Sequence, residues 1–184
     1  MEFSAQGYGG SSINAICAAQ NLSKGIVYHY FSTKDALYLA CIAECFQRLT
    51  EYVRENFSVG QGGIEAQLEK YFSVRMAFFQ IYPVYQRLYC EAVTTPPDHL
   101  SSKIRMCRQD FDALNIQILE RLLSSIALRS DISKADAIET FRHYQDFINV
   151  RYQVIAANGQ SFEAHEADCQ KMLRILLYGI IERD

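Results

Sequence analysis

The chain has 184 residues, 49% apolar and 21% charged, and its 18 Lys and Arg against 21 Asp and Glu give a formal net charge of −3. That length suffices for one domain or two small ones with a real core, and no apolar run approaches the ~20 residues a membrane-spanning helix needs; the six cysteines, scattered inside helical patterns, read as small buried residues of a reducing cytosol, so a cytoplasmic protein is expected. The acidic balance offers no global attraction for nucleic acid, and Lys24 and Lys34 are offset by Glu2 and Asp35 even within the first forty residues, so any nucleic-acid reading must rest on local geometry.

Every predicted element is helical. Ser12 precedes Ile13, Ile16 and Cys17 at helical spacing and predicts a short helix ending near Gln20, with Asn21 suited to a left-handed exit. Ser23 caps a second short helix, and Ser32 or Thr33 caps a third that runs to about Asn56 with apolar residues on two faces. Val59 to Gly63 breaks the pattern, Ile64–Ile81 restores it, and Pro83 interrupts it before YQRLYCEAV. After the TTPP loop, one long stripe carries Ile104, Cys107, Phe111, Leu114, Ile118, Leu122 and Ile126. Ser133 and Asp136 form a capping-box pattern before Ile138, Phe141, Tyr144, Ile148, Tyr152 and Ile155. Gly159 is expected to end that helix and Ser161 to cap the last, which is lined by Phe162, Cys169, Leu173, Leu176 and Ile180. The fold class is therefore all-α, divided into an N-terminal unit, 1–38, and a C-terminal unit, 39–184.

Projected on a helix, Lys24, Gly25, Tyr28 and His29 share one arc, while Val27 and Phe31 point inward and Ile26 and Tyr30 flank. A glycine in a first turn costs helix stability but lets another backbone come close. Two short helices with such an arc on the second form a helix-turn-helix, whose second helix enters the DNA major groove.

The stretch SSINAICAAQNLSKGIVYHYFSTKDALYLA, with the small-residue lead-in GYGG, resembles the DNA-binding segment of TetR-type transcriptional regulators over residues 3–40. The resemblance rests on Ile13 and Ile16, Ala19 at the helix crossing, SKG, the aromatic run YHYF, and STKDAL. It implies that Ser11 or Ser12 contacts phosphate, that Lys24, Gly25, Tyr28, His29 and Tyr30 face DNA, and that Lys34 clamps a phosphate. His29 is the expected reader of a base edge. Asn21 stands where the family often has glycine. The family carries most of a first helix ahead of Phe3, whereas this sequence begins inside it: either the true start lies upstream or the first helix is truncated.

For the remainder, Phe78, Tyr82, Tyr85, Tyr89, Phe111 and Tyr144 are candidate walls of an effector pocket for a small, largely apolar or aromatic molecule. The last two helices carry apolar residues on several sides, which predicts a homodimer reading a palindromic double-stranded DNA operator. The expected function is a transcriptional repressor released from its operator by a small molecule. The alternative is a helical ligand-binding or scaffolding dimer that has lost DNA binding. No cofactor is expected: His165 with Cys169 and Cys41 with Cys45 lack further ligands for a metal. No nucleophile–base signature or phosphate loop indicates an enzyme.

Overall fold

In the computed structural model, residues 2–157 and 162–181 are described, and the side chains among them outside 152–157 and 162–163. Helix α1 (Glu2–Gly10) consists of two helical pieces joined at Gly7, whose φ of 69° and ψ of 179° lie in a region open to glycine. Ser12 then accepts the amide of Ala15 at 3.1 Å and starts α2 (Ile13–Gln20). Asn21 closes it in the left-handed conformation (φ 51°), with Leu22 N–H donating to the Cys17 carbonyl at 2.9 Å and Asn21 N–H to that of Ala18 at 3.4 Å. That pairing is a Schellman closure, so asparagine serves where glycine is usual. Ser23 accepts from Ile26 N–H to start α3 (Lys24–Tyr30), and Thr33, not Ser32, accepts from Ala36 N–H to start α4 (Lys34–Asn56).

Helix α5 (Ile64–Ile81), α6 (Val84–Thr94) and a 3-10 turn at Asp98–Leu100 follow the expected breaks. The single long helix expected next is instead two, α7 (Ser101–Cys107) and α8 (Gln109–Leu123). Arg108 between them has φ −96° and ψ −1°, and its guanidinium lies 5.7 Å from the centre of the Phe46 ring. Ile104 and Phe111 are buried on either side of the break, so the apolar stripe runs on through it and periodicity gives no sign of it. Ile126 falls beyond the end of α8.

In α9 (Lys134–Ala157) the capping box forms as expected: Asp136 N–H donates to Ser133 Oγ at 3.1 Å, and Ser133 N–H donates back to the Asp136 carboxylate at 3.3 Å. Helix α10 (Phe162–Ile180) ends the described chain. The stops and caps expected at Gly159 and Ser161 lie outside the described residues. Among the described residues the extended pairing is confined to an isolated bridge between Leu128 and Ile181, and no helix is long and apolar enough to cross a membrane.

Two compact units divide the chain differently from a cut at residue 38. The first contains residues 1–50 and 79–111, the second 51–78 and 112–184. The first unit buries Tyr38, Ile42, Cys45, Phe46 and Leu49 of α4 with Phe79, Leu88 and Tyr89. The second buries Leu68, Tyr71 and Phe72 with Leu119, Phe141, Leu173 and Leu177, and there the Tyr71 hydroxyl donates to Asn115 Oδ1 at 2.8 Å.

Candidate nucleic-acid interface

The helix-turn-helix is held by a small apolar cluster. Ile13 and Cys17 from α2 meet Val27 from α3, with Ile16 and Leu37 packed against them. Val27 is the one buried residue of α3, so burying it turns the rest of the helix outward. Lys24, Gly25 and His29 are exposed, Tyr28 is 50% exposed and Tyr30 74%. The rings of His29 and Tyr30 pack edge to face, with centroids 5.1 Å apart. A Cβ on Gly25 would meet only Ser23 Oγ, at 3.9 Å, so nothing in the folded chain requires glycine there.

Three expectations shift in detail. Ser11 is buried and donates its hydroxyl to the Gly7 carbonyl at 2.6 Å, leaving Ser12 as the exposed serine of the pair. Ala19 is exposed, not enclosed at a helix crossing; Ile16 makes that packing instead. Phe31 is half-buried.

Lys34 is anchored by a residue for which the sequence assigned no role. Its ammonium lies 4.3 Å from the centre of the Tyr8 ring. The Tyr8 hydroxyl donates to Asp35 and lies 3.2 Å from His99 Nε2, which is itself 3.3 Å from the other Asp35 oxygen. Its backbone N–H donates to both carboxylate oxygens of Glu91, at 3.0 and 3.1 Å, and Arg87 donates to the Ala5 carbonyl. The hydrogen bond to Asp35 is the largest cause of a Tyr8 pKa pushed up to about 12. The same bond, then His99 and Lys103, holds Asp35 below its ordinary value against the opposing effect of burial. A Cβ on Gly7 would come within 3.3 Å of Arg87 and Glu91, so the glycine both bends α1 and lets α6 approach it. The available signal was Gly7 itself, a helix breaker inside an otherwise helical segment.

The six aromatic candidates have different surroundings. Phe78, Tyr89 and Phe111 are at most 1% exposed; Tyr89 and Phe111 pack on Phe46, and Phe78 on Tyr52. These three belong to the buried core. Tyr144 packs on Phe72 and donates its hydroxyl to the Cys169 carbonyl. Tyr82 is partly exposed beside Tyr85, and Tyr85 borders a cavity. His165 is buried with Nε2 3.1 Å from the Ile148 carbonyl, burial lowers its pKa, and no group of three or more potential metal ligands occurs among the described residues.

Residues 1–41 match the family model described as bacterial regulatory proteins, tetR family. The biofilm operon icaADBC HTH-type negative transcriptional regulator IcaR of Staphylococcus aureus (strain Newman) is 25% identical over 141 residues, covering 64% of this chain and 74% of its own. Its counterpart in Staphylococcus epidermidis is 24% identical over 114 residues, covering 60% and 57%. Among solved structures, the transcriptional regulator FadR from Bacillus subtilis in complex with stearoyl-CoA superposes with a TM-score of 0.74 at 15% identity, over 94% of this chain and 91% of that one. A TetR family transcriptional regulator from Chloroflexus aurantiacus J-10-FL gives 0.72 at 19%, over 99% and 89%. The fold thus matches solved transcriptional regulators along nearly the whole chain, and the segment that resembles the tetR family, residues 1–41, contains the exposed ridge of α3.

Proposed function

We propose that the chain acts as a dimeric repressor that lays α3 in the major groove of a roughly palindromic operator and releases it when a small molecule binds. The observation that carries this reading is the outward ridge of Lys24, Tyr28, His29 and Tyr30, fixed from behind by Val27. Lys24, Ser12 and Lys34 contact phosphates, Gly25 admits the DNA backbone, and His29 reads a base edge. The polar grip of Tyr8 on Asp35 favours this arrangement, because it ties up a carboxylate that would otherwise repel phosphate beside Lys34. The relatives support repression, since IcaR is named a negative regulator. The B. subtilis FadR structure, solved with stearoyl-CoA, supports small-molecule control of this fold.

Binding to the duplex beside the chain's own coding sequence tests this, measured by fluorescence anisotropy at several salt concentrations. Lys34→Ala weakens binding to all sequences and lowers the salt slope by about 1. An unchanged slope removes Lys34 from the interface, and absence of wild-type binding at any salt concentration ends the DNA reading.

A further inference from the structure

A cavity of about 340 Å³ lies within the first unit, bordered by α1, the residue closing α3, α4 and α6. Phe3, Phe31, Leu37 and Leu88 give it carbon walls, and Glu44 is the one formally charged residue among those that line it. A mostly apolar space of this size with a few convergent polar groups suits a small organic molecule. The sequence reading placed its effector among aromatics of the C-terminal part; of those, this site contains Tyr85.

Charge decides the chemistry of the occupant. Burial pushes the Cys41 thiol and the Tyr85 phenol up, so both stay neutral near pH 7 and the thiol is no nucleophile. Glu44 spends one oxygen on Arg48 Nε one turn further along α4, in a pair about half exposed at each end. Such a surface pair contributes little, and a carboxylate has further lone pairs to offer. The Glu44 carboxylate therefore presents an acceptor at the edge of an apolar hollow, which suits a donor-bearing cation.

Two of the walls belong to the DNA-reading machinery. The Phe31 N–H closes α3 on the Val27 carbonyl at 2.8 Å, and Leu37 packs against the cluster of Ile13, Cys17 and Val27. We infer that this cavity binds a small organic cation, an amine on a compact apolar body, and that filling it loosens the hold of α3 on DNA. The binding step goes beyond the effector reading above; only the loss of DNA affinity rests on it.

The test uses the full chain with phenethylamine, and 3-phenylpropionate as its acidic counterpart. Binding is followed by amide shifts in two-dimensional NMR, and operator affinity by anisotropy. Wild type should take the amine roughly tenfold more tightly than the acid, with shifts at Phe31, Leu37 and Cys41 and a fall in operator affinity. Glu44→Gln should erase most of that preference. Val84→Trp, at a bordering residue that is 38% exposed, should block the amine while the protein still binds the operator. Equal binding of acid and amine, an unchanged preference in Glu44→Gln, or unchanged operator affinity with the cavity filled would overturn the proposal. If the wild type binds the amine with those shifts and ignores the duplex from the start, the regulator reading fails while the site stands.

Discussion

Tyr8 engages neighbours through its amide, its hydroxyl and the face of its ring, and this gives it a pH signature. The folded chain holds the phenol proton to about pH 12, whereas the unfolded chain releases it near 10.0. Between those values the unfolded state binds fewer protons, so stability falls as pH rises. Asp35 acts at the other end: its carboxyl is held below the ordinary 3.8, so its contribution is present above that value and is lost as pH falls through the lowered one. Tyr8→Phe removes the phenol and should flatten the alkaline fall in Tm between pH 10 and about 12 relative to wild type. Melting curves by circular dichroism at stepped pH check this, and parallel curves for the two proteins would deny the bond to Asp35. Subtraction matters because Tyr38, Tyr71 and Tyr144 are also shifted upward, mainly by burial.

Helix ends were the most legible part of the sequence, because a cap is a local bargain between one side chain and one free amide. Ser12, Ser23, Thr33 and the Ser133–Asp136 pair each accept from the third residue on. Helix α3 depends on this most, since its seven residues are too few to hold a helix alone. Ser23→Ala should cost about 1 kcal/mol in urea denaturation and weaken operator binding in step. A variant as stable as wild type would mean that Val27 packing alone holds the helix. Less legible was any feature made by residues far apart in sequence. Arg108 at the break between α7 and α8 lies over the Phe46 ring, and α1 is held by Arg87 and Glu91. Spacing also cannot separate an aromatic that fills core from one that lines a void, because both recur with the helical period. Phe78 and Tyr85 are the contrasting cases.

For the whole molecule, the unpartnered apolar surface of the second unit includes Phe147 of α9, 51% exposed, and Ile175 of α10, 67% exposed. On the dimer proposal these residues face a second copy. Ile175→Glu should then give a monomer by sedimentation and a large loss of affinity for DNA with two half-sites, since each subunit would bind alone. A dimer that persists would place the interface elsewhere. Among the glycines of the DNA-reading part, Gly7 and Gly25 divide along the same line between what the chain needs for itself and what it needs for a partner. Gly7 is demanded by its own backbone and by Arg87 and Glu91, whereas Gly25 has open space for a methyl group. Laboratory evolution for heat resistance alone would therefore keep the first and replace the second with alanine, gaining on the order of 1 kcal/mol. The winners of such a contest would be sturdier proteins and poorer readers of their genome.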